Sequence, residues 1–137
     1  MKNLKQYYKE LGKVVYAVAI TDGVIKQEEI DALHEFVQKD LANNESTVDS
    51  SGMNEAFYVD FEFENSIKNN LEIPAAIRSF ANFIHNNYET GDETLVRRSV
   101  KLLEVVADAY TRKKEKELVL QIKGEINEIS KQILQIK

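Results

Sequence analysis

The chain has 137 residues, of which 43% are apolar, 30% charged and 9% aromatic, with five Gly, one Pro and no Cys. This length supports one domain over residues 1–137, and the scarcity of Pro and Gly argues against an all-β fold or a disordered linker. The absence of Cys excludes disulfides, thiolate zinc sites, iron–sulfur clusters and cysteine nucleophiles, and two His are too few for a multi-histidine centre. A metal site in this chain would therefore use oxygen ligands.

The formal net charge of −5 is unevenly distributed along the chain. Residues 22–72 carry thirteen acidic residues and three Lys, a net charge of −10, whereas the segments on either side are net positive. Such a segment suits cations or basic protein partners and argues against nucleic acid. The apolar run at residues 14–20 is too short to cross a bilayer, and what precedes it does not resemble a signal peptide. We therefore expect a cytoplasmic protein without membrane insertion.

Apolar residues at three- and four-residue spacing predict an all-α bundle of five to six helices. The first helix is predicted at about residues 2–20 and the second at about 27–41. The polar segment at about residues 42–56 has no periodicity, which predicts a loop. Apolar residues then alternate with polar ones between positions 57 and 64, as in a strand. A single strand would have no pairing partner here, so we predict a short helix at about residues 59–69.

Three further helices are predicted at about residues 74–88, 93–111 and 113–135. Pro74 suits the first turn of the first of them, and Asp92 can cap the next. The charged residues of the helix at 93–111 form one narrow stripe, so we expect this helix to be the most buried of the bundle. The repeating Ile residues of the last helix span too few heptads for a coiled coil, but its end is a candidate site for a homodimer contact.

The most informative segment is AVAITDGVIKQEEIDAL, residues 17–33. An apolar helix stops at Asp22 and Gly23, and a new helix opens with Glu28 and Glu29 in its first turn, where acids complement the helix dipole. From the residues alone, this is either a helix–turn–helix corner with a charged start or a cation site. The spacing of the acids excludes an EF-hand.

The segment resembles the signature of the TerB-like family of tellurite-resistance proteins, whose helical domains also occur in DnaJ-type membrane co-chaperones. That signature is an apolar helix that runs into Ala-Asp-Gly, a variable residue, Ile, a polar pair, and Glu or Glu-Glu at the start of the next helix. The positions that match it are Asp22, Gly23, Ile25, Glu28 and Glu29. Thr21 replaces the Ala, and Lys26 stands where a capping Ser, Thr or Asp is usual, so we expect the capping box with Glu29 to be lost.

Members of the family carry a second, weaker copy of the motif downstream. An offset of 88 residues matches Glu29 to Glu117 and keeps the helix–break–helix outline. It replaces the Asp-Gly pair by Tyr110 and Thr111, with Asp108 nearby. The resemblance therefore implies a bundle built from two pseudo-repeated helical hairpins, in which the second acidic loop is eroded.

The resemblance also implies a function. The chain would be a non-catalytic accessory or interaction module in tellurite or stress resistance, with a protein partner and a divalent cation bound at the acidic Asp-Gly loop. Asp22 and Glu29 would be ligands, with Glu28 and Glu117 as neighbours, and carboxylates alone would favour Ca²⁺, Mg²⁺ or Mn²⁺. The alternative is a purely structural, protein-docking helical domain without a metal site, in which the acids only cap helices.

Two other groups of polar residues have simpler interpretations. His34 follows Asp31 at i+3, a spacing that suits a surface helix pair better than acid–base chemistry. Asp60, Glu62 and Glu64 are interpreted as a solvated acidic edge. Gly-rich phosphate loops, nucleophile elbows and zinc-protease motifs do not occur in the sequence. We therefore expect no enzymatic activity.

Overall fold

The computed structural model describes residues 1–21, 23–109 and 113–136, with the side chains of the last helix described from Lys114 to Glu128. The described residues form six α-helices: α1 (Leu4–Ile20), α2 (Gln27–Phe36), α3 (Tyr58–Asn69), α4 (Ile73–Asn87), α5 (Glu93–Ala109) and α6 (Lys113–Ile136). Within these ranges there is no strand, and one isolated bridge joins Val48 to Asn54. The predicted all-α bundle of five to six helices is confirmed.

α1 is the central helix of the bundle and packs against α3, α4 and α5. Eleven of its seventeen residues are buried, compared with six of seventeen in α5. The prediction that the helix at 93–111 is the most buried was therefore wrong. The physical reason is that α1 packs against α3, α4 and α5 at once, and that Gly12 lets the backbone of α3 come close to it. The narrow charged stripe of α5, on which the prediction was based, gives no information about the packing around α1.

α3 crosses α1 at Gly12. A Cβ atom on Gly12 would lie 2.5 Å from the backbone oxygen of Val59 and 2.9 Å from the Cβ of Glu62. Only glycine permits so close an approach of two helix backbones. α3 faces the core through Val59, Phe63 and Ser66, which have helical spacing. The predicted helix at about 59–69 is thus confirmed in place of a strand.

α2 continues beyond its last α-helical residue in a different hydrogen-bonding pattern. A π-helical turn covers Val37–Leu41, and a 3₁₀ turn covers Ala42–Asn44. Val37 and Leu41 are both buried in the core. The prediction of a helix at 27–41 has the correct extent, but its last turn is wider than an α-helix.

The loop predicted at about 42–56 contains no α-helix. Hydrogen bonds made by its side chains Asp49 and Asn54 hold it in place. Asp49 accepts hydrogen bonds from the hydroxyl groups of Ser51 (2.6 Å) and Tyr58 (2.7 Å) and from the backbone N–H of Met53 (3.0 Å). These bonds favour the carboxylate and hold the pKa of Asp49 well below its usual range. The amide of Asn54 donates to two backbone carbonyls of the same loop, at 2.9 and 3.1 Å.

α6 covers α4 and α5 at the edge of the bundle. Among the described side chains of α6, the buried apolar ones are Val119, Ile122 and Ile126, at the spacing of one helical face. In the part of the chain that the structure describes, no helix combines the length and the apolar character needed to span a membrane.

Candidate functional site

The corner between α1 and α2 holds the residues that match the family signature. Gly23 has a φ of +94°, the left-handed region that favours glycine. Its N–H donates to the carbonyl oxygen of Ile20 at 2.8 Å, which closes the end of α1. The hydroxyl of Thr21 donates to the carbonyl of Ala17 at 2.7 Å. Asp22, the first predicted ligand, lies outside the described residues.

Glu29 is buried at the third position of α2, with 1% of its surface exposed. Its Oε1 accepts a hydrogen bond from the backbone N–H of Lys26 at 2.8 Å. This bond is one half of a capping box; the other half needs a side-chain acceptor, which lysine lacks. The expectation that Lys26 abolishes the capping box is therefore corrected for the half that Glu29 supplies, which is present.

The second carboxylate oxygen of Glu29 has a different environment. Oε2 is buried and has no hydrogen-bond partner among the residues that the structure describes. Leaving a buried acceptor without a partner costs about 1–3 kcal/mol, so buried carboxylate oxygens are normally bonded to a donor or a cation. The lack of a partner for the buried Oε2 therefore points to a ligand at this corner.

The two secondary candidates are placed differently. Glu28 is exposed beside Glu29 at the start of α2, and Glu117 is exposed on α6. α2 packs mainly on α5, whereas α6 packs on α4 and α5. Across residues 1–21, 23–109 and 114–128, no three acidic or histidine side chains form a group that could hold a metal ion. Glu28, Glu29 and Glu117 are thus not brought together as one such group.

Sequence reasoning missed a buried glutamate at the start of α6. Glu115 is fully buried and is the third residue of α6, just as Glu29 is the third residue of α2. The starts of the two helices therefore align with an offset of 86 residues, not 88, and this offset places Asp108 opposite Asp22 in the sequence. An alignment of the predicted starts of the two helices, instead of an alignment of Ala19 with Ala107, would have matched Glu29 to Glu115.

His34 pairs with a residue of another helix. Its Nδ1 lies 2.6 Å from Oδ1 of Asp60, so the pair links α2 to α3. Asp31, the partner considered from the sequence, accepts a hydrogen bond from Gln27 at 2.9 Å. Burial raises the pKa of Asp60, although the neighbouring His34 opposes this shift. The pair is a link between helices, and the expected Asp31–His34 pair is corrected.

Other polar side chains, buried or half-buried, link α1 to its neighbours. Ser79 donates to Oε2 of Glu10 at 2.5 Å, which joins α4 to α1, and Lys13 donates to Oε1 at 3.1 Å. Tyr7 and Ser99 share a buried hydrogen bond of 2.5 Å between α1 and α5. These hydrogen bonds therefore join α1 to α4 and α5 within the bundle.

Comparisons of the chain with known protein families, with curated proteins and with solved structures gave no match. The TerB-like resemblance therefore stays a prediction that depends on residues 17–33.

Proposed function

We propose that this chain is a non-catalytic TerB-like module, a tellurite- or stress-resistance accessory protein that binds a divalent cation through Asp22 and Glu29. One observation carries the proposal: Oε2 of Glu29 is buried and has no hydrogen-bond partner in the described part of the chain. It lies at the start of the helix that follows the Asp-Gly turn, the position that the family signature gives to an acidic ligand.

The chemistry of the two carboxylates indicates which cation would bind. Carboxylate oxygens favour Ca²⁺, Mg²⁺ and Mn²⁺, which accept all-oxygen coordination. Two protein ligands would leave most coordination positions to water, so the affinity would be weak. Glu28 and Glu117 are exposed and remain secondary candidates, as neighbours that would raise the local negative potential.

The same proposal includes the cell compartment and the partners. The net charge of −10 on residues 22–72 disfavours nucleic acid and suits a basic protein partner. We place the protein in the cytoplasm, without membrane insertion, as a module that acts through a protein partner.

A purely structural, protein-docking domain without a metal site is the second candidate. The observation that favours it is the 2.8 Å hydrogen bond from the backbone N–H of Lys26 to Oε1 of Glu29. A glutamate at the third helix position stabilises the helix start without any cation. In this alternative, the acids only cap helices and shape the charge of the surface.

Thermal unfolding with added Ca²⁺, Mg²⁺ or Mn²⁺ separates the two candidates. A cation that binds only the folded chain stabilises it by about 2.7 kcal/mol at a free concentration 100-fold above Kd. We expect the melting temperature of the wild type to rise, and Asp22→Asn and Glu29→Gln to abolish the rise. The matched control is Asp31→Asn, which removes an exposed carboxylate of α2 and should keep the rise.

The outcome that supports the docking alternative is different. There, Glu29→Gln lowers the melting temperature through the weakened helix start, while none of the cations changes the melting temperature of the wild type. An equal rise in the wild type and in both site variants would also contradict the proposed cation site.

A further inference from the structure

We draw no further inference here: the strongest candidate, the exposed face of α6 around Leu120 and Gly124, has acidic and basic side chains on both of its flanks, and nothing in the described structure shows what covers it.

Discussion

Glu29 and Glu115 occupy the same position in two helices: each is the third residue of its helix, and each is buried. Acidic side chains at a helix start are usually exposed, because they interact with the free N–H groups and the dipole from the surface. Two buried glutamates at equivalent positions therefore support a relation between the α1–α2 and α5–α6 pairs, and they identify Glu115 in place of Glu117 as the counterpart of Glu29.

The first prediction follows from this relation. Glu115→Gln should lower the free energy of unfolding by about 1–3 kcal/mol, because it changes a fully buried carboxylate. Glu117→Gln, two residues later on an exposed position, should stay within about 0.5 kcal/mol of the wild type. Urea unfolding measures both. Equal effects of the two substitutions would contradict the assignment of Glu115.

The second prediction concerns the contact of α1 with α3. Gly12→Ala should destabilise the chain by about 1–3 kcal/mol or more, because the new Cβ would overlap the backbone of α3 at Val59. The same substitution at Gly124 meets open space and should stabilise the monomer by about 1 kcal/mol. Urea midpoints at low protein concentration measure the pair. A stabilising Gly12→Ala would refute the close approach of the two helices.

The third prediction concerns the buried hydrogen bond between α1 and α5. Ser99 donates its proton to the carbonyl of Leu95 at 2.9 Å, so the hydroxyl of Tyr7 donates to Ser99. Burial raises the pKa of Tyr7, so this donor stays protonated at neutral pH. A double-mutant cycle of Tyr7→Phe and Ser99→Ala should give a coupling free energy of about 0.5–1.5 kcal/mol. Additive effects of the two substitutions would show that the bond does not contribute.

The fourth prediction is a pH dependence caused by Asp49. The hydrogen bonds from Ser51, Tyr58 and Met53 lower its pKa in the folded chain below the ordinary value of 3.8. A lowered pKa stabilises the fold above pH 3.8, and this contribution is lost as the pH falls towards the folded pKa. Stability should therefore decline less steeply below pH 3.8 in Asp49→Asn than in the wild type, with Tyr58→Phe in between. Identical slopes in acid denaturation curves would contradict this role.

The helices were predictable from the sequence where apolar residues lie along one helical face. The helix α3 was predictable because a single strand would have had no pairing partner in a helical chain, although the local alternation favoured a strand. The central position of α1 was not predictable. It depends on how closely another helix approaches Gly12, and the spacing of apolar residues contains no information about that distance.

The candidate site was predictable only in part. Glu29 was found through its position after an Asp-Gly turn, but its burial and its bond to Lys26 result from the packing of α2. The pairing of His34 with Asp60 joins two helices that are distant in the sequence, so the i+3 spacing to Asp31 was misleading. The burial and the pairing of these side chains depend on contacts between helices, and the spacing of residues within one helix does not predict them.

Direct binding of Mn²⁺, followed by the electron paramagnetic resonance signal of the free ion, tests the central claim most directly. The proposed site predicts saturable loss of the free signal with one ion per chain. It also predicts that Ca²⁺ or Mg²⁺ competes, that Asp22→Asn and Glu29→Gln lose the binding, and that Asp31→Asn keeps it. A free-ion signal that the wild type leaves unchanged, or binding that survives in both site variants, would contradict a cation site at Asp22 and Glu29.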